Sequence, residues 1–389
     1  MTIVVQKYGG SSVADVEKIG KVADAVVATR SAGHDVVVVV SAMGKTTDQL
    51  LELARQVDDN PPRRELDMLV TTGERVTMSL LSMAIQKRGV DAISFTGSQS
   101  GIITNDRHFD ARIIEVRPHR IEDELARGRV VIIAGYQGMS YKREITTLGR
   151  GGSDTTALAM AAALGAVRAE IYSDVDGVYS ADPRVVPDAQ HLPELSYEQM
   201  QTMSVAGAKV LHDKAVAFAR DAGIAIHARA SFAPGRETRV HGDAGTAATA
   251  IVGQKGIVRV VITGDDAAFL AALEVASERG VVVRDIERSP GIGAFHVVLA
   301  HSPEWGLCQG ALQDAHGDAL EIITGLGVVA AVGAAAASPS LALAAITQAG
   351  ISPLRVTSAP LSTSFLVQEP QVDPALRALH TSLITEGGR

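Results

Sequence analysis

Five consecutive valines, Val36–Val40, constrain this chain more than any other stretch. Successive side chains of a strand point to opposite faces, so a run that is apolar at every position is buried on both, as in a parallel sheet covered by helices. Ahead of it lie a second apolar run, Ile3–Gln6, and a segment with helical spacing, Val13, Val16, Ile19, Val22, Ala23 and Val26. Together these read as a βαβ unit. Further strands are predicted at Ala92–Phe95, Val130–Ala134 and Glu170–Tyr172, with helices around Thr77–Arg88, Ile121–Arg127 and Thr155–Leu164. The expected class is α/β, an open, mainly parallel sheet sandwiched by helices. A chain of 389 residues exceeds one ordinary core, so two or three domains are expected.

Charge and cysteine content exclude several functions. A formal net charge of -8 and an isoelectric point near 5.8 disfavour a nucleic-acid partner, since such domains commonly have values above about 9. Cys308 is the one cysteine, which excludes an intrachain disulfide and a thiolate metal cluster and predicts a reducing compartment. The N-terminus meets Lys7 before any apolar signal-peptide core can form, so a cytoplasmic protein is expected. Residues 322–354 carry no charged side chain over 33 positions, more than the roughly 20 that span a bilayer. However, the stretch is rich in Ala, Gly, Ser and Thr, is interrupted by Ser338-Pro339-Ser340, and divides into a strand-like and a helix-like half. No membrane association is predicted.

Near residue 250 the chain changes character, where Ala233-Pro234-Gly235, Gly242 and Gly245 suggest a linker. Beyond it a weak repeat appears: a strand ending at Gly264, a helix and Gly280 recur about 70 residues later as Gly333, a helix and Gly350. Each copy reads as strand, helix, strand, strand, helix, the outline of a ferredoxin-like βαββαβ module. A single irregular α+β domain is the plainer alternative.

Chemistry concentrates where strands run into helices. Lys7-Tyr8-Gly9-Gly10-Ser11-Ser12 follows the first strand. Glycines let a backbone approach phosphate closely, and Lys7 adds a full charge. Taken alone, such a turn is more often an ordinary connection. Gly44-Lys45-Thr46 resembles the end of a P-loop, but the glycine that motif needs five positions earlier is Val39, which excludes it. Ser41, Thr47 and Asp48 are small polar groups at a strand's C-terminal end, suited to a ligand or to ordinary turn chemistry. The most specific stretch is Thr146–Thr156, where glycines, Arg150 and the Ser153-Asp154 pair converge on a helix start, the pair read as caps. Tyr172–Tyr179 and Asp182-Pro183-Arg184 form a polar stretch after a strand, compatible with a nucleotide pocket or a turn. Lys209, within Gly207–Leu211, reads by itself as solvated surface.

In order along the chain, Lys7–Ser11, Val40–Met43, Thr72-Gly73-Glu74, Thr147–Asp154, Asp174–Tyr179, Asp182–Arg184 and Gly207–Leu211 resemble the amino-acid kinase family, with particular similarity to its aspartate-kinase branch. The resemblance covers residues 1 to about 240. It implies a catalytic domain over 1–245 and a C-terminal pair of ACT modules, 256–325 and 326–389, which often mediate dimerisation. It also implies ATP and Mg²⁺ as cofactors and L-aspartate as substrate, phosphorylated to 4-phospho-L-aspartate at the head of the route to lysine, threonine and methionine. Carried over by position, Lys7 would stabilise the transferring phosphoryl group and Asp154 would hold that lysine. Glu74 would pair with the substrate ammonium and Arg150 with its α-carboxylate, while Ser41, Thr47 and Ser153 complete the pocket. Gly9, Gly10 and Ser11 would surround the phosphates, and Ser173, Asp174, Tyr179, Arg184 and Lys209 would form the nucleotide side. No protein metal-ligand cluster is expected.

The chain departs from the family pattern at Asp213-Lys214, where a proline or another short motif is common, and at Gly264–Ala268, which lacks the Pro-Gly pair that usually opens the first module's helix. Thr357-Ser358 and Ser362-Thr363-Ser364 keep part of the second module's pattern. Lysine or threonine as effector at the modules is an expectation. The alternatives are a related kinase acting on glutamate or N-acetylglutamate, and a catalytically inactive amino-acid sensor.

Overall fold

A computed structural model describes residues 1–233, 235–244, 249–302 and 304–385. Pro234 and Gly245 of the expected linker, and the end of the second expected module, lie outside the described residues. The chain divides into two compact units: Met1–Val178, His191–Ser204 and Lys209–Ala248 form the first, and Tyr179–Gln190, Val205–Ala208 and Thr249–Arg389 the second.

The first unit is built on an eight-stranded sheet in the order Glu194–Leu195, Glu237–Val240, Ile226–Ala230, Arg168–Ser173, Thr2–Tyr8, His34–Val40, Val130–Ala134, Ala92–Phe95. The last six run parallel, and Glu237–Val240 pairs antiparallel with Ile226–Ala230. Val36–Val40 are fully buried, as the valine run predicts. Val36, Val38 and Val40 pack with Ile19, Val22 and Val26 of helix Val16–Ser31 and with Leu81 and Ile85 of helix Thr72–Gln86. The region read as a linker contains the strand Glu237–Val240, which is short and polar in sequence but buries Thr238 and Val240 by edge pairing.

Register decides where the chemistry can sit. Tyr8 lies opposite both Val40 and Tyr172, and Val40 lies opposite Ala134. The segments that follow, starting at Gly9, Ser41, Gly135 and Asp174, therefore leave the sheet along one edge, at the carboxyl ends where open α/β sheets bind ligands. A buried polar cluster holds two of these ends level. The Glu170 carboxylate accepts hydrogen bonds from Gln6 Nε2 (2.8 Å), Tyr172 Oη (3.0 Å), Arg168 Nε (2.8 Å) and Arg229 Nη1 (2.9 Å). Burial would raise its pKa, but the bond from Arg168, the charge of Arg229 and the bond from Gln6 hold it below the ordinary value. Tyr172 in turn stacks on Tyr8, ring centroids 4.7 Å apart.

A second sheet in this unit has the order Ile113–Val116, Ile102–Thr104, Gln137–Ser140, Ile145–Thr147. Its last strand leads directly into the Gly149–Gly152 turn.

The second unit contains a six-stranded sheet. Its two long central strands, Thr249–Thr263 and Leu320–Gly333, are antiparallel and irregular between Lys255 and Arg259. The hairpin Val283–Ser289/Ile292–Val298 extends one side and Arg355–Ala359/Ser362–Gln368 the other. Helices Asp266–Glu278, Trp305–His316, Pro339–Gln348 and Val372–His380 complete the two ferredoxin-like outlines. Thr249–Lys255 lies opposite Gly327–Gly333, so the second copy's sheet takes in residues that precede both expected module ranges. The uncharged stretch 322–354 is part of a strand, a 3-10 turn and a ten-residue helix, and among the described residues no helix is long and apolar enough to cross a membrane.

Replacing Glu170 by alanine leaves the buried Gln6 amide with Thr29 Oγ1 as its remaining acceptor and removes the shared partner of two arginines. The expected cost is about 3 kcal/mol, the upper end for hydrogen bonds to a charged group, read by denaturant unfolding of the full chain.

Candidate functional site

Lys7 is the penultimate residue of the first strand, and its Nζ lies 2.7 Å from Asp154 Oδ1, with both side chains close to nine-tenths buried. The first α-helix starts later than the sequence suggests. Gly10–Val13 forms a 3-10 turn, and the helix begins at Val16 behind Asp15, whose carboxylate accepts a hydrogen bond from Lys18 N. Gly9, Gly10 and Ser11 thus sit on a tight turn beside the Lys7 ammonium rather than on a helix N-terminus. A side chain at Gly10 would meet the carbonyl oxygen of Ala42 at 2.9 Å, so glycine is what lets the turn lie against Ser41–Gly44.

The helix Gly152–Leu164 also starts differently. Its cap is Gly151, in the left-handed conformation (φ 72°), where any Cβ would run into the His212 ring. Ser153 and Asp154 occupy the first turn instead of capping it, which leaves their side chains for other partners. Asp154 takes Lys7, and Ser153 Oγ accepts a hydrogen bond from Ser41 Oγ at 3.0 Å. Thr47 lies in the first turn of helix Thr46–Val57.

Glu74 is 2% exposed, in the first turn of helix Thr72–Gln86. Its Oε1 accepts from Ala42 N at 3.1 Å, while Oε2 has no partner among the described residues. Desolvation pushes its pKa up to about 7, against the two backbone hydrogen bonds that favour the anion. A buried carboxylate with an open oxygen is a ready acceptor for a cation. Arg150 is exposed at the tip of the glycine turn, forms no ion pair among the described residues, and has the fork geometry that suits a carboxylate.

Ser173 ends the strand beside Lys7 and Asp174 follows it, with the Ser173 carbonyl held by Ser231 N at 2.9 Å and Asp174 exposed. Lys209 is exposed in the first unit. Tyr179 and Arg184 fall in Tyr179–Gln190, part of the second unit, where Arg184 pairs with Asp182 at 2.7 Å and Ser180 Oγ lies 2.9 Å from His380 Nε2.

Sequence reading passed over Tyr136. This half-buried residue has a left-handed backbone (φ 68°), uncommon outside glycine. Burial holds its phenol far above the ordinary pKa, and it senses the charges of Glu74, Asp67 and Arg150. Its signal was its place directly after the buried strand Val130–Ala134, at the same sheet edge as the other groups.

Residues 2–229 match the Amino acid kinase family profile. The aspartokinase of Mycolicibacterium smegmatis is 42% identical over 98% of this chain and 96% of its own length. An aspartokinase of Thermus thermophilus is 39% identical over 98% of each. The crystal structure of E. coli aspartokinase III in complex with aspartate and ADP superposes with a TM-score of 0.85 at 23% identity, covering 98% of this chain and 99% of that one. With the family profile spanning more than half of the chain and full-length relatives near 40% identity, the chain belongs to the aspartokinases of the amino acid kinase family.

Proposed function

We propose that the chain transfers the γ-phosphoryl group of ATP to the side-chain carboxylate of L-aspartate, giving 4-phospho-L-aspartate and ADP. The observation that carries this reading is the Lys7–Asp154 pair at the common edge of the parallel strands. A carboxylate is already a nucleophile at neutral pH, so the protein's task is to bring two anions together and neutralise the charge that develops. Lys7 meets the transferring group, aimed by Asp154, with Gly9, Gly10 and Ser11 around the phosphates. Glu74 takes the α-ammonium, Arg150 the α-carboxylate, and Ser41, Thr47 and Ser153 line the pocket. Ser173, Asp174 and Lys209, all of the first unit, belong to the nucleotide side.

Mg²⁺ fits as an ion carried on the nucleotide. Among the described residues no group of three His, Cys, Asp or Glu side chains could hold a metal, and Mg²⁺ commonly uses one or two carboxylates plus substrate phosphates. Asp154, in the first turn of its helix, and Asp174, just past a strand end, are the carboxylates that would contribute; bound there, the ion would offset phosphate charge. Residues 256–325 and 326–389 are read as ACT modules that form a homodimer and take lysine or threonine as effector.

A coupled ADP-release assay with aspartate, glutamate and N-acetylglutamate, with and without lysine and threonine, tests the reading. Turnover confined to aspartate supports it, and turnover of another acid alone overturns it. Lys7→Ala should lower kcat by at least ~10²-fold, as expected for loss of a preorganised charged contact. For Glu74, the folded-state pKa lies above the 4.5 of a free side chain. Its burial therefore costs no stability below about 4.5, progressively more as pH rises from there to about 7, and a constant amount above. Glu74→Gln should raise stability above pH 8, by up to about 3 kcal/mol, while weakening aspartate binding. In the parent protein, kcat/KM for aspartate should fall as pH drops below about 7, since a protonated Glu74 cannot pair with an ammonium.

A further inference from the structure

Asp67 lies on helix Arg63–Val70, fully buried, with no part in the chemistry assigned above. Its carboxylate is nonetheless densely engaged. Oδ1 accepts from Thr147 Oγ1 at 2.6 Å and from Phe109 N at 3.1 Å, and Oδ2 lies 2.6 Å from His108 Nδ1. A buried anion is costly unless paired and fully hydrogen-bonded, so such a group marks a point where geometry is enforced.

The partners lead to both ends of the amino-acid pocket. Thr147 ends the strand Ile145–Thr147, three residues before Arg150. The segment that Asp67 grips, His108–Asp110, lies against the turn itself: a Cβ on Gly149 would meet Asp110 Oδ1 at 2.9 Å. Phe109 holds a left-handed backbone (φ 69°), a conformation a bulky residue keeps only when its surroundings impose it. In the other direction, the Asp67 carbonyl accepts from Thr71 Oγ1 at 2.8 Å, at the junction where helix Thr72–Gln86 begins and Glu74 follows. The Thr71 carbonyl is in turn held by Gln137 Nε2 at 3.1 Å.

We infer that Asp67, with His108 and Thr147, is a positioning residue that sets the spacing between the Arg150 turn and the Glu74 helix, and so the fit of an α-amino acid's carboxylate and ammonium. The inference rests on the roles proposed for Glu74 and Arg150. The side chain acts through the turn and touches no substrate.

Steady-state kinetics of the full chain test it through the two Michaelis constants. Asp67→Asn keeps the shape and loses the charge, while Thr147→Val keeps the shape and loses the donor. Each should raise KM for aspartate by about 10- to 100-fold, the scale of a small misplacement of a binding group, with KM for ATP within twofold of the parent. Thr147→Ser, which retains the hydroxyl, should restore the parent value. Combining Asp67→Asn with Arg150→Lys should raise KM for aspartate no further than the larger single effect, because both act on one contact. If both Asp67→Asn and Thr147→Val leave KM for aspartate within twofold, or raise both constants equally, the inference is overturned. Arg150→Lys separates the two levels: a change there without one in the Asp67 and Thr147 variants removes this inference alone, whereas no change at Arg150 removes the reading beneath it.

Discussion

Burial of the central strands on both faces is the constraint from which the rest of the first unit follows. With Val36–Val40 sealed between helices, polar chemistry has no place along the strands except where it is fully paired, as at Glu170. Charged groups are displaced to the carboxyl ends, and the in-line register of Tyr8, Val40, Ala134 and Tyr172 puts those ends side by side. Lys7 and Asp154 meet there because one ends a strand and the other opens a helix. Glycines at 9, 10, 149, 151 and 152 let the connecting turns come close enough for this to happen.

The two charged arrangements of the site differ in their energetics. The charges of Lys7 and Asp154 are paired with one another, which offsets part of their burial before any ligand arrives, although Asp154 Oδ1 makes no well-aligned hydrogen bond among the described residues. Glu74 is desolvated with one oxygen unpartnered, a state that is unfavourable until a cation completes it. A desolvated carboxylate of this kind favours a cationic neighbour over a neutral one of the same shape. Asp67 stands between these cases: equally buried, but enclosed by donors that belong to the protein itself.

In the second unit the long strand Thr249–Thr263 serves both ferredoxin-like halves, lying opposite Gly327–Gly333 with its first part and Leu320–Ile323 with its second. The helices of the second half pack against Phe365 and Val329, and the same cluster includes Ala181 and Val186. The segment Tyr179–Gln190, which follows Val178 of the first unit, is thereby held in the core of the second, with Ser180 beside His380. Its sequence, Asp182-Pro183-Arg184 within a polar run, reads as a loop with ligand chemistry; nothing in that run announces the apolar cluster that receives it.

By itself the sequence determined the parallel α/β class, the repeated C-terminal outline and the identity of the charged groups, because each rests on local pattern: all-apolar runs, helical spacing, and glycines beside a lysine, an arginine or an aspartate. It also placed strands 92–95 and 130–134 to the residue. Tertiary structure alone decided that Gly151 and not Ser153 or Asp154 caps the helix, that Glu74 is pushed up to about 7, that Tyr136 sits at the same sheet edge, and that the Asp67 carboxylate gathers Thr147, Phe109 and His108 around it. Those are matters of distance and desolvation between segments far apart in the chain, and neither quantity exists until the chain has folded.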